Sequence, residues 1–156
     1  MPLRAADVPT QSISRSVELK INADLAWGII KDFSGVHRWH PGFTDTELTG
    51  GVNGKPGALR VVAMKDGPRI SEELLQYSES SKRYRYRMVS SSLPIDNYAG
   101  AISVLGKGNM SIVTWSVNFR RKSSSTSFTD ADVKLMVDHL LQVGLTNLKR
   151  IANNAA

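Results

Sequence analysis

The sequence predicts an α+β domain in which a curved antiparallel sheet of six to seven strands wraps around a long C-terminal helix, with two short helices after the first strand. Three observations predict it. From Asp130 to about Asn153, apolar residues recur at Val133, Met136, Val137, Leu140, Leu141, Gly144, Leu145, Leu148 and Ile151, which is helical spacing over several turns. Ahead of that segment lie strand-like runs joined by tight turns, so consecutive strands are antiparallel. Ahead of those, a shorter helical pattern runs from Ala23 to Phe33. A strongly curved sheet closed by one helix seldom fills its own interior. It leaves a cavity suited to small apolar molecules.

The first strand is Ser12 to Ile21, with Ile13, Val17, Leu19 and Ile21 on one face and serines, Glu18 and Lys20 on the other. Arg15 interrupts the apolar face. Asn22 is placed to cap the helix Ala23 to Lys31, and Asp24 suits its first turn. Leu25, Trp27, Ile29, Ile30 and Phe33 supply the buried side, and Ser34-Gly35 ends it. Val36 to His40 forms a second short helix stopped by Pro41-Gly42. Phe43 to Thr49 is a strand. Gly50 to Gly57 is a glycine-rich loop without the lysine and hydroxyl residue of a phosphate loop.

Leu59 to Met64 is the next strand, and Lys65 to Pro68 a turn. Arg69 to Tyr77 and Arg83 to Val89 make a hairpin. Ser90 to Asp96 is a loop. Asn97 to Leu105 and Met110 to Phe119 make a second hairpin through Gly106-Lys107-Gly108-Asn109. A serine-rich loop, Lys122 to Thr129, leads to the last helix, with Thr129 as its cap.

Length and composition bound the function. The 156 residues make one domain, 12–154, preceded by a flexible arm, 1–11. Cysteine is absent, which removes disulfides, thiolate metal sites and cysteine nucleophiles. No apolar run reaches the ~18 residues that span a bilayer, so no membrane insertion is expected. Met1 to Gln11 lacks the apolar core of a signal peptide, so a cytoplasmic location is expected. The net charge of +6 is scattered, and no nucleic-acid motif accompanies it, so no nucleic-acid partner is expected. Arg83, Arg85 and Arg87 alternate outward along one strand, which turns Tyr84 and Tyr86 inward. His37 and His40 share a helical spacing but lack a third ligand, so no metal is expected. Neither a Gly-x-Ser-x-Gly elbow nor a dinucleotide fingerprint occurs, and no cofactor is expected.

Several short motifs occur in a telling order. They are Ala26-Trp27, Asp32-Phe33, Trp39-His40-Pro41, Ser71-Glu72-Glu73-Leu74, Leu93-Pro94-Ile95-Asp96-Asn97-Tyr98, Val113-Thr114-Trp115 and the final helix with Gly144-Leu145. In order and spacing the chain from Ser12 to Ile151 resembles the START-like (SRPBCC) superfamily of helix-grip folds. Within it, the likeness is to the polyketide cyclase/dehydrase and lipid-transport family. The resemblance implies a deep pocket between the sheet and the last helix, and it places Glu72 and Leu74 inward.

Periodicity sorts the remaining candidates. Tyr86 and Met88 share the inward face of their strand. Tyr98, Gly100 and Ile102 share another, and Trp115 and Val117 a third. Met136, Leu140 and Gly144 lie on the inward stripe of the helix. Trp39, His40 and Met64 complete the candidate ligand-binding set. An inward Glu72 is desolvated, which raises its pKa and suits it to a ligand hydroxyl or amine, or to acid/base work. Tyr98 is its polar partner.

The leading expectation is a carrier or sensor for a hydrophobic or amphipathic small molecule: a lipid, polyketide, isoprenoid or aromatic. The alternative is a cyclase or dehydratase using Glu72, Tyr98 and His40, which needs an acid and a base. The sequence shows one inward ionisable group, not a pair, and so favours the carrier over the enzyme. A third reading is a scaffold that meets a protein partner through the arginine strand.

Overall fold

The computed structural model describes residues 8–155. β1 (Gln11–Leu19) leads into α1 (Ala23–Ile30) and a 3-10 segment (Phe33–Arg38). Then come β2 (Phe43–Gly50), β3 (Leu59–Met64), β4 (Arg69–Ser78), β5 (Arg83–Ser91), β6 (Ile95–Lys107) and β7 (Met110–Arg121), and α2 (Asp130–Ala155) closes the fold. The strands form one antiparallel sheet in the order β1-β7-β6-β5-β4-β3-β2. α2 packs its Val133, Val137, Leu141, Leu145 and Leu148 into the same core as Trp115, Val113 and Phe119 of β7. This is the expected helix-grip arrangement.

Local chemistry sets the ends of the helices. The Asn22 Oδ1 accepts the Leu25 N–H at 2.9 Å and caps α1. Thr129 and Asp132 make a reciprocal capping box at α2, with the Thr129 Oγ1 accepting the Asp132 N–H at 3.0 Å and the Asp132 carboxylate accepting the Thr129 N–H at 2.9 Å. α2 is then pinned along its length. Asp130 meets Arg121 at 2.8 Å, Asp138 meets Arg15 at 2.7 Å, and the Asn147 amide donates to the Trp39 carbonyl at 2.9 Å. Arg15, which breaks the apolar face of β1, is therefore a tie to the helix.

Some boundaries differ from expectation. α1 stops at Ile30, and Phe33 opens the next segment. The second short helix is the 3-10 stretch Phe33–Arg38 instead of Val36 to His40, because the Asp32 carboxylate caps it by accepting the Ser34 N–H at 3.0 Å. Leu25 is 59% exposed and not part of the buried side; Ala26 takes that place. The β6–β7 turn contracts to Gly108-Asn109, with Gly108 at φ +62°. The β5–β6 loop contracts to Ser92–Pro94. Of the arm expected over 1–11, residues 1–7 lie outside the described residues. Val8 is buried and Gln11 already belongs to β1.

The arginines of β5 point outward as expected, with Arg87 paired to Glu73 of β4 at 2.8 Å. A register shift between Leu74 and Gln76 explains the adjacent leucines of β4. Leu74 is fully buried, and Leu75 is the extra residue of the bulge.

Candidate functional site

The concave face of the sheet, the 3-10 segment and α2 enclose a cavity of about 60 Å³. Its lining is largely apolar. Met64 of β3, Ile70 of β4, Met88 of β5 and Ile95 of β6 surround it, with Leu93 from the β5–β6 loop. Trp115 of β7 and Met136, Val137 and Leu140 of α2 face them, and Val36 and Phe43 complete the apolar wall. Cavities that hold drug-sized ligands run to ~300–1,000 Å³. This one is smaller, and three of its lining residues are methionines, whose unbranched side chains rearrange readily.

The polar floor is a buried ion pair. Arg60 of β3 sits directly across from Glu72 of β4 in the ladder, and both are inside. The Arg60 Nε and Nη2 donate to the Glu72 Oε1 at 2.9 and 2.7 Å. The Arg60 Nη1 donates to the Phe33 carbonyl at 2.6 Å. The guanidinium lies 4.0 Å from the Phe33 ring centroid and 5.1 Å from that of Tyr86. Both guanidinium contacts fall on one carboxylate oxygen. The Glu72 Oε2 accepts no hydrogen bond from the described residues, and Glu72 borders the cavity.

Burial pushes the Glu72 carboxyl upward, and the Arg60 charge and hydrogen bonds pull it back. Burial works against the Arg60 charge, but Glu72 and the tyrosines Tyr84 and Tyr86 outweigh it, so Arg60 stays protonated. Beside the pair, the Trp115 Nε1 donates to the Tyr86 hydroxyl at 3.0 Å, and the Tyr86 and Tyr98 hydroxyls lie 3.3 Å apart. Burial, followed by the nearby Glu72 charge, raises the Tyr98 phenol. Gly100 makes this chain possible, because a Cβ there would stand 2.6 Å from the Tyr86 ring.

Of the sequence candidates, Met64, Glu72, Tyr86, Met88, Tyr98, Trp115, Met136 and Leu140 border the cavity. The others do not, each for a packing reason. Leu74, Ile102 and Val117 are consumed by the core. Gly100 is covered by Tyr86. Trp39 packs against Trp115, with ring centroids 5.5 Å apart. His40 is a tie between the chain and α2: its Nδ1 accepts the Gly42 N–H at 3.0 Å, and its Nε2 donates to the Leu140 carbonyl at 2.8 Å. The space left by Gly144 is filled by that imidazole, since a Cβ there would meet the His40 Cδ2 at 2.5 Å. The polar residue that sequence reasoning missed is Arg60. Its signal is the shared face of Arg60, Val62 and Met64 along β3.

His40 is 1% exposed, and burial lowers its pKa to about 4, against the pull of the Leu140 carbonyl and of its own backbone, which raise it. An unfolded chain takes up the proton near the ordinary histidine value. The stability from a neutral His40 is therefore complete above pH ~6.5 and is lost as pH falls toward about 4. Across that window the expected loss is about 3 kcal/mol. Urea unfolding of the parent and of His40→Gln at neutral and mildly acidic pH checks it. The glutamine variant should lose much less over the same interval.

His37 is engaged elsewhere, with its Nδ1 2.9 Å from the Thr46 hydroxyl, and His139 is exposed on α2. Among the described residues no three His, Cys, Asp or Glu side chains cluster as metal ligands. No helix of the described residues is long and apolar enough to cross a membrane.

A curved sheet gripping a long helix around a small, largely apolar cavity with a polar floor defines a START-like, SRPBCC-type domain. The chain belongs to the polyketide cyclase/dehydrase and lipid-transport family, whose model matches residues 10–153. It is similar to a solved protein of Thermobifida fusca, with 30% identity, TM-score 0.76, and 88% of this chain and 90% of that one covered. It is also similar to the XoxI protein of Bacillus cereus, with 24% identity, TM-score 0.81, and 90% and 94% of the two chains covered. The Zhui aromatase/cyclase of a Streptomyces species shares the fold at 11% identity, with TM-score 0.80 over 92% and 94% of the chains. No curated protein matches the sequence.

Proposed function

We propose that the protein binds a small amphipathic molecule in the cavity between the sheet and α2, as a carrier or sensor. The apolar body lies among Met64, Met88, Trp115, Met136 and Leu140. A hydroxyl or amine on the ligand donates to the Glu72 Oε2, with Tyr98 beside it. The observation that carries this reading is the half-used carboxylate. Glu72 spends one oxygen on Arg60, leaves the other without a hydrogen bond from the described residues, and borders a largely apolar cavity. Leaving such an oxygen unpartnered is costly, and a donor from the ligand recovers that cost. Arg60 opposes the upward push of burial on Glu72, which supports a group that accepts hydrogen bonds more than one that trades protons. The family supports a ligand-binding fold in general, and the acceptor at the floor narrows the ligand to one with a donor.

The test is a titration followed through tryptophan emission, to which Trp115 contributes from the cavity wall, using aliphatic and aryl alcohols with the matching hydrocarbons and carboxylates. Alcohols are expected to bind tightest and carboxylates weakest. Glu72→Gln is expected to weaken alcohol binding about tenfold, the worth of a hydrogen bond to a charged group. Equal affinity for alcohol, hydrocarbon and carboxylate would remove Glu72 from recognition. Loss of a slow turnover in Glu72→Gln with binding retained would favour the cyclase/dehydratase reading instead.

A further inference from the structure

The ladder between β5 and β6 is incomplete. It pairs Arg83 through Arg87 with Ser103 through Ala99 and then stops. Beyond it, Met88, Ser90 and Ser91 pair only with β4, while Ile95 and Asp96 pair only with β7. A register shift between Asp96 and Ala99, with Asn97 at φ +51°, turns β6 away from its neighbour. The strands part into a fork that holds a groove of about 570 Å³. Met88, Ile95 and Tyr98 line this groove from the outside and the cavity from the inside. One layer of side chains thus separates solvent from the cavity at the fork. Val89, 49% exposed, forms an apolar lip.

We infer that the fork is a lateral portal, and that a small amphipathic ligand reaches the cavity through the sheet between β5 and β6 as Met88 moves aside. The inference rests on the ligand-binding reading above. Opening a sheet normally breaks ladder hydrogen bonds, but here the β5–β6 ladder already stops at Arg87–Ala99, and the groove is crossed by a side-chain tie, the Lys122 Nζ donating to the Ser91 carbonyl at 2.9 Å, so local separation costs less than breaking a ladder. The opposite wall is built differently. Lifting α2 away from Met64 would break the His40–Leu140 and Asn147–Trp39 hydrogen bonds and the Arg15–Asp138 pair. Of the side chains lining both sides, Ile95 and Tyr98 are buried, while half-buried Met88 has the freedom to swing.

The absence of cysteine makes the test direct. Val137→Cys places a single thiol on the cavity side of α2 at small steric cost. Its rate of modification by methyl methanethiosulfonate is read on the folded protein, with the global unfolding rate measured separately for each variant. Thinning the fork with Met88→Ala is expected to speed modification about tenfold, whereas Met64→Ala on the opposite wall changes it less than about twofold. Met88→Phe, which fills the fork, is expected to slow it. Acceleration by Met64→Ala that equals or exceeds that of Met88→Ala, or rates unmoved by either Met88 variant, would overturn the portal. The readout involves no ligand. A cavity that accepts no amphiphile would therefore sink the functional reading separately.

Discussion

Arg60→Ala is expected to destabilise the protein by about 3–5 kcal/mol, the effect of stranding one charge of a buried pair. Arg60 is 3% exposed and serves the Glu72 Oε1, the Phe33 carbonyl and two aromatic faces at once. Its removal leaves a desolvated carboxylate and a buried carbonyl without their donors. Replacing both members by apolar residues of similar size, as in Arg60→Met with Glu72→Leu, is expected to recover most of the loss, because the desolvation cost disappears together with the attraction. Urea unfolding of Arg60→Met, Glu72→Leu and the double variant supplies the cycle. Additive effects, or an Arg60→Ala cost within about 1 kcal/mol, would mean that the pair is solvated like a surface bridge. The stable double variant is also expected to lose the preference for alcohols, which separates the role of Glu72 in recognition from its role in folding.

Gly144→Ala is expected to cost about 2 kcal/mol, against the ordinary gain of about 1 kcal/mol for alanine over glycine inside a helix. The added Cβ would lie 2.5 Å from the His40 Cδ2, 3.0 Å from its Nε2 and 3.0 Å from the Trp115 Cζ3. Neither ring can yield cheaply. His40 is held by hydrogen bonds to Gly42 and Leu140, and Trp115 by its bond to Tyr86. Thermal or urea unfolding reads the loss. In a His40→Ala background the same change should cost much less, since the 2.5 Å and 3.0 Å contacts with the imidazole are gone and only the 3.0 Å approach to Trp115 still offsets the helix preference. A destabilisation that persists in full without the imidazole would place the conflict elsewhere.

These residues show how far the sequence could be read. Strand alternation placed Tyr84, Tyr86, Tyr98 and Trp115 inward and the arginines of β5 outward, because a half-buried sheet writes its two faces in period two. The long helix was legible for the same kind of reason. Arg60 was not, although it shares a face with Val62 and Met64. A charge on an inward face has meaning only once its partner is known, and Glu72 reaches it through strand pairing. The contact between His40 and Gly144 joins positions far apart in the chain, and nothing local in either segment announces it. Ile102 and Val117, read from periodicity, and Leu74, placed inward by the resemblance, have the correct face but lie in the filled core. Periodicity tells inward from outward and does not tell cavity from filled core. The fork depends on one residue, Asn97, adopting a left-handed conformation at a bulge. Asparagine permits that conformation without requiring it.

The central claim is that the cavity takes a small amphipathic ligand bearing a hydrogen-bond donor. Native mass spectrometry of the purified protein, followed by denaturing extraction of whatever is bound, tests it most directly. The account predicts a stoichiometric adduct, a small largely apolar molecule with a hydroxyl or amine, that is depleted in Glu72→Gln. A protein that carries no adduct, and shows no thermal shift with any alcohol or amine of a lipid and aromatic library, would contradict it.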